Sequence, residues 1–201
     1  MIENMVPFLA FVVAMTATPG PGNLAMMSIG QSTGFRSAVP FLLGTAVGCV
    51  ILDGGVALGV GAWIVASPLA GVVLRVAGSA YILYLAVKLV RLRPVAPEAG
   101  VGGARRGFTF WEGLLVHPLS PKSWAMAVVG FAQFMSPTEP YATQAMVFVG
   151  AFLVGLLVFH SLWCAAGATL LGLLRAPRVR VAVNAALVAL MLGATAWAMA
   201  A

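Results

Sequence analysis

The chain has 201 residues, of which 62% are hydrophobic and 8% charged, and its mean hydropathy is +1.04. A soluble domain covers its surface with about 25% charged residues, so an ordinary soluble protein is excluded and repeated apolar runs read as membrane spans. The net charge of +6 does not mark a nucleic-acid binder, because the basic residues are sorted along the chain by topology.

Six spans are expected, at about 5–29, 38–62, 68–90, 108–134, 141–173 and 180–200. The start, MIENMVPFLAFVV, carries Glu3 and no Lys or Arg. It lacks the basic flank of a cleavable signal peptide and reads as the start of the first span. That span is interrupted by TATPGPGNLAMM at 16–27. Pro19 and Pro21 remove backbone donors while Gly20 and Gly22 loosen the chain, so a continuous helix is not expected. Broken backbone in a bilayer is tolerated only where it is packed in protein or lines a wet cavity.

Span 2, AVPFLLGTAVGCVILDGGVALGVG, places Gly44, Gly48, Gly55 and Gly59 within about a 60° arc at 100° per residue. Such a stripe admits another helix closely. Asp53 lies roughly opposite it and is the only acid deep in an unbroken span. A carboxylate in hydrocarbon costs about 2.5–3.5 kcal/mol on insertion scales, so Asp53 should face a cavity or a partner. Arg75 in span 3 stands at comparable depth if the chain turns within WIVASP, 63–68. The pair serves equally as a structural ion pair or as a site for a proton or an amine.

The segment RLRPVAPEAGVGGARRG, 91–107, has no apolar period and reads as a flexible cytoplasmic loop. It divides the chain into a first three-helix half (1–92), a loop (93–107) and a second half (108–201). Three spans per half oblige the halves to enter the membrane in opposite senses, as inverted repeats do. PGNLAM at 21–26 and PKSWAM at 121–126 share Pro, Ala and Met in register, and each interrupts the first span of its half. Paired interruptions at corresponding places point to a transporter's substrate site.

The second interruption is HPLSPKS, 117–123. Lys122 follows Pro121 where a helix restarts, and a helix start carries partial positive charge and free N–H groups, so the two together form an anion trap. Gly22 and Asn23 hold the matching place in span 1. Carbonyls around Thr18, Pro19 and Gly20 would accept from an ammonium group, and the combination suits a zwitterion. His117, on a break, titrates near neutral pH in its ordinary state. His160 in span 5 reads as a helix–helix contact, and Glu112 as an interfacial charge. Trp63, Trp111 and Trp163 include interface residues. Cys49 and Cys164, both within spans, read as small buried hydrophobes.

With the N-terminus outside, Arg36, Lys88, Arg91, Arg93, Arg105, Arg106, Arg175, Arg178 and Arg180 fall on one side, nine of the eleven basic residues. The positive-inside rule makes that side cytoplasmic and leaves both termini extracytoplasmic. No nucleophile–base pair, phosphate loop or metal-ligand cluster stands out, so transport is favoured over enzymology and no cofactor is expected.

TPGPGN (18–23), GFRSAVPFLLGTAVG (34–48), RVAGSAYILYLAVKLVR (75–91), FWEGLLVHPLSPKSWAM (110–126) and AQF (132–134) occur in that order. In these stretches the chain resembles the lysine-exporter (LysE/RhtB) family of bacterial amino-acid exporters over nearly its whole length. Ser120 stands where that family usually has Asn before Pro-Lys. Cys49 stands where an acid commonly follows the second glycine, and Asp53, four residues on, is a substitute.

The resemblance implies proton-driven export of amino acids or close derivatives across the inner membrane. Trp-Ala-Met after Pro-Lys is similar to the branch linked with cysteine and O-acetylserine. The substrate-binding residues would be Thr18 to Asn23 and Ser120 to Lys122, with Asp53, Arg75 and His117 as coupling candidates. Partners are then the bilayer, an amino acid, protons and, optionally, further copies of the chain. The competing expectation is a non-transporting receptor or assembly subunit that uses the glycine stripe of span 2.

Overall fold

The computed structural model describes residues 2–91, 108–136, 140–173 and 176–200. These form α1 (Ile2–Ala17), α2 (Pro21–Thr33), α3 (Phe35–Ala57), α4 (Val60–Ala66), α5 (Pro68–Arg91), α6 (Phe110–Val116), α7 (Pro121–Phe134), α8 (Tyr141–Leu173) and α9 (Pro177–Ala200). Residues 92–107, most of the expected cytoplasmic loop with Arg93, Arg105 and Arg106, lie outside the described residues, as does Arg175.

The fold is all-helical among the described residues, but the expected six spans are only partly seen. By length and hydropathy α3, α5 and α8 can each cross a bilayer, and α1 with α2 makes a fourth span if the pair, bent by 51°, is counted as one. The expected fourth span is two short helices, α6 and α7, and the expected sixth retains only Val181–Gly193 as a shorter apolar stretch within α9. Span 2 also differs. The helix stops at Ala57 because Gly59 takes a left-handed conformation (φ 89°), and the chain restarts as α4. Gly59 therefore belongs to a turn and not to the stripe.

The surface carries the greasy side chains. Leu43, Ile51, Trp63, Val76, Trp111, Met146 and Leu162 are all exposed, whereas Asn23, Gln31, Thr45, Asp53, Gln144, His160 and Asn184 are buried. That inversion suits a solvent of acyl chains, in which exposed apolar surface is unpenalised and polar groups must find partners inside.

Each broken pair packs against a long helix distant from it in the chain. Helices α1 and α2 lie on α8, and α6 and α7 lie on α3, while α5 meets α9. Glycines make the close contacts. A Cβ on Gly44 would overlap the Phe110 carbonyl, and one on Gly113 the Phe41 carbonyl, so α3 and α6 touch backbone to backbone. Gly30 on α2 and Gly167 on α8 meet in the same way, against Cys164 and Met27. Close small-residue contact of this kind substitutes in lipid for a hydrophobic driving force. Gly55 meets only ordinary contacts, 3.9 Å from Trp124 and Val60, so the packing part of the expected stripe is Gly44 and Gly48.

Two apolar clusters result. One gathers Met26, Ile29, Phe41, Leu85, Leu89 and Met191. The other gathers Phe8, Val12, Leu52, Phe148, Phe152 and Leu156. Polar side chains stitch the helices between them: Ser28 donates to Asn184 Oδ1, and Asn184 Nδ2 donates to the Leu89 carbonyl at 2.8 Å. At one end of α6, Glu112 accepts from Lys88 at 2.5 and 2.7 Å and from Tyr84 at 2.5 Å, and it closes a capping box with Thr109. The expected interfacial charge is thus the centre of a latch between α5 and α6.

Candidate functional site between the helix breaks

Helices α2 and α7 start alike. Pro21 and Pro121 each occupy the first turn, where the missing N–H costs nothing, with Gly20 and Ser120 as the residues before. Ser120 caps its helix by accepting from the Ser123 N–H at 3.2 Å, whereas Gly20 offers no side chain. The hundred-residue register seen in the sequence is therefore a register of helix starts.

A break frees carbonyls, and each set is taken up by a side chain. Asn23 Nδ2 donates to the carbonyls of Thr16 at 2.7 Å and Thr18 at 2.9 Å. Trp163 on α8 donates to the Ala17 carbonyl at 3.2 Å. At the second break Trp124 Nε1 donates to the Pro118 carbonyl at 2.9 Å. The first break's carbonyls are thus largely occupied by protein, since that of Gly20 also accepts, from the Leu24 N–H at 2.9 Å.

The breaks meet. A Cβ built on Gly20 would stand 3.2 Å from Lys122 Nζ, so the ammonium of the second break lies against the backbone of the first. Beside them is a cavity of about 60 Å³, large enough to hold water. Of the sequence-predicted residues its wall includes Thr18, Pro21, Gly22, Asn23, Asp53, His117, Ser120 and Lys122. Pro121 lines a separate groove, Pro19 is exposed, and Gly20 touches Lys122 without lining the cavity. The apolar wall draws on both clusters, with Val116 from one and Leu52, Phe152 and Leu156 from the other.

Asp53 and Arg75 are not brought together. Asp53 is 2% exposed and its Oδ2 accepts from the Cys49 thiol at 3.0 Å, one turn away on the same face of α3. Arg75 is exposed and its Nε donates to the Gly71 carbonyl of its own helix at 3.4 Å. A helical turn on α5 therefore holds the guanidinium away from α3. Arg75 instead lines a groove of about 880 Å³ between α1, α4, α5 and α7, which shares Met15, Lys122 and Met126 with the cavity.

Sequence reading underrated His160. Its ring stacks on that of His117, with centroids 5.7 Å apart, and its Nε2 stands where a Cβ on Gly22 would be 3.0 Å away. Thr45 Oγ1 lies 3.2 Å from His160 Nδ1 and 2.8 Å from the Leu42 carbonyl. The contact with His160 ties the imidazole of α8 to α3 whichever of the two groups donates. His117 Nδ1 in turn lies 3.1 Å from Ser123 Oγ. His117 and Ser123 share one break, but no local motif connects them with Thr45 and His160; only tertiary packing joins these to them.

A family model for LysE-type translocators matches residues 13–200. The homoserine/homoserine lactone efflux protein of Salmonella typhimurium is 27% identical over 141 residues, 70% of this chain and 68% of that protein. The cysteine/O-acetylserine efflux protein of Escherichia coli strain K12 is 28% identical over 145 residues, 71% of this chain and 69% of its own. An uncharacterized membrane protein of Pseudomonas aeruginosa is 31% identical over 152 residues, 70% of this chain and 68% of its own. No solved structure matches. Nothing in these likenesses supports a receptor or assembly subunit. With a match over almost its full length and apolar helices that turn their polar groups inward, the chain belongs to the LysE-type translocator family of multi-pass membrane transporters.

Proposed function

We propose that this translocator exports amino acids or close derivatives across the bacterial inner membrane by alternating access, driven by the proton gradient. Translocators move a solute without covalent change, so it is a transporter and not an enzyme. In this reading α1–α2 and α6–α7 are the broken first spans of two inverted three-helix halves, residues 1–92 and 108–201, and both termini are extracytoplasmic.

The observation that carries the reading is the meeting of Lys122 with the first break beside a cavity whose wall includes Asn23, Asp53 and His117. A fixed cation at the start of α7 suits a carboxylate. Ser120, Pro121 and Lys122 shape that end, and Thr18 to Asn23 shape the other. The relatives named for homoserine and for cysteine and O-acetylserine point to amino acids and close derivatives. Asp53 and His117 are the coupling candidates that share the cavity. Arg75 stands apart, in the groove leading from Lys122 toward the α4–α5 connection.

Purified protein in proteoliposomes should release loaded amino acid faster when a pH gradient is imposed. Lys122→Gln and Pro21→Ala should remove that flux while the protein still inserts. Unaltered flux in both would refute the site, and no flux of any amino acid in the parent protein would refute the function.

A further inference from the structure

Among the buried side-chain atoms of the described residues, Asn23 Oδ1 and His117 Nε2 lack a hydrogen-bond partner. Both belong to residues on the cavity wall. Asn23 is the more informative of the two, because its amide orientation is fixed chemically. Its nitrogen spends both hydrogens on the Thr16 and Thr18 carbonyls. A flipped amide would set Oδ1 against two carbonyl oxygens, which repel it. The oxygen is therefore the free end. It can only accept, and at 5% exposure it has little access to outside solvent. A buried acceptor without a donor is costly, and a donor brought by a ligand removes that cost.

Lys122, at the start of α7, favours the negative end of a ligand and offers nothing to a positive one. Asn23 Oδ1 has the opposite preference. We infer that Asn23 Oδ1 receives the α-ammonium group of the transported molecule, and so makes Asn23 the residue that selects free amino acids over acids lacking the amine. The inference rests on the exporter reading. It refines the expectation that Asn23 helps to trap the carboxylate: the side chain serves the other end of the zwitterion. His160 Nε2 also lies beside the start of α2, close to Gly22.

The experiment compares amino acids with analogues that differ only in lacking the amine. L-homoserine is set against 4-hydroxybutyrate, and L-cysteine against 3-mercaptopropionate, as competitors of efflux from proteoliposomes. The parent protein should favour the amino acid by about ten- to hundredfold, the range expected of one hydrogen bond to a charged group. Asn23→Leu and Asn23→Ala should lower that ratio by a similar factor, with the residual flux still dependent on Lys122. Since these variants also release two carbonyls, their insertion is checked by circular dichroism, and the parent's own ratio stands without them.

A parent protein that exports amino acids yet admits the amine-free analogues equally would overturn the assignment, as would variants that keep the full preference. Either result leaves the exporter reading intact. A parent that moves neither member of a pair, nor any other amino acid tried, would overturn the exporter reading instead.

Discussion

Gly22→Ala tests the cavity by its size. The added methyl would lie 3.0 Å from His160 Nε2, 3.3 Å from His160 Cε1 and 3.4 Å from Val116 Cγ1. These neighbours are side-chain ends, two of them on one imidazole, and a shift of a few tenths of an ångström accommodates the methyl. Helix α2 should therefore persist, all the more because Ala is the better helix former by about 1 kcal/mol. What changes is the cavity wall. Of about 60 Å³, one methyl and the displaced imidazole remove a substantial part.

A methylene's worth of space in a hydrophobic pocket discriminates by about 1–3 kcal/mol, or about 10–200-fold. Efflux from proteoliposomes would be measured across a series of amino acids of increasing side-chain length. The variant should retain the smallest member and lose the largest that the parent carries by that factor. A uniform loss along the series, or none, would show that this space does not hold the side chain.

Four further results are expected. Gly113→Ala drives a Cβ into the Phe41 carbonyl and to 2.9 Å from Thr45 N, so it should cost about 1–3 kcal/mol, read as a lower thermal midpoint in detergent. Gly54→Ala, with nothing within 4 Å, should stay within about 0.5 kcal/mol in the same assay. Glu112→Gln removes the charge that holds Lys88 and Tyr84 and should lose about 1.5–3 kcal/mol, whereas Tyr84→Phe removes one neutral donor and should lose less. Trp124→Phe leaves the Pro118 carbonyl without its indole donor and should lower the midpoint by about 0.5–1.5 kcal/mol of stability, with transport kept in part.

What the sequence could reveal depended on the range of the interaction. Proline and glycine act within a turn, so both breaks were legible, and Pro21 and Pro121 do start helices. The glycine stripe was legible only as far as Gly48. Gly59 looks helical on a wheel, but its lack of a Cβ serves a left-handed turn instead. Depth alone paired Asp53 with Arg75, yet side-chain direction decides contacts, and α5 turns Arg75 toward Gly71 and the outer groove. His160 was unreadable for the converse reason. A lone histidine in an apolar helix carries no sign that another, far along the chain, stacks upon it.

The two breaks are built alike but supported differently, and the difference bears on how the halves work together. The second is closed from within its own half: Ser120 caps α7, Trp124 reaches back to Pro118, and Ser123 meets His117. The first draws on the opposite half as well, since Trp163 takes the Ala17 carbonyl and Lys122 lies against Gly20. Backbone polar groups in a bilayer must keep partners through any motion. If the proposed halves move against one another, the Ser120, Trp124 and Ser123 bonds of the second break can persist, whereas the bond from Trp163 to the first break has to change partner. Under the proposed alternating access, the segment from Ala17 to Gly20 is where movement of one half against the other would be felt, next to the cavity.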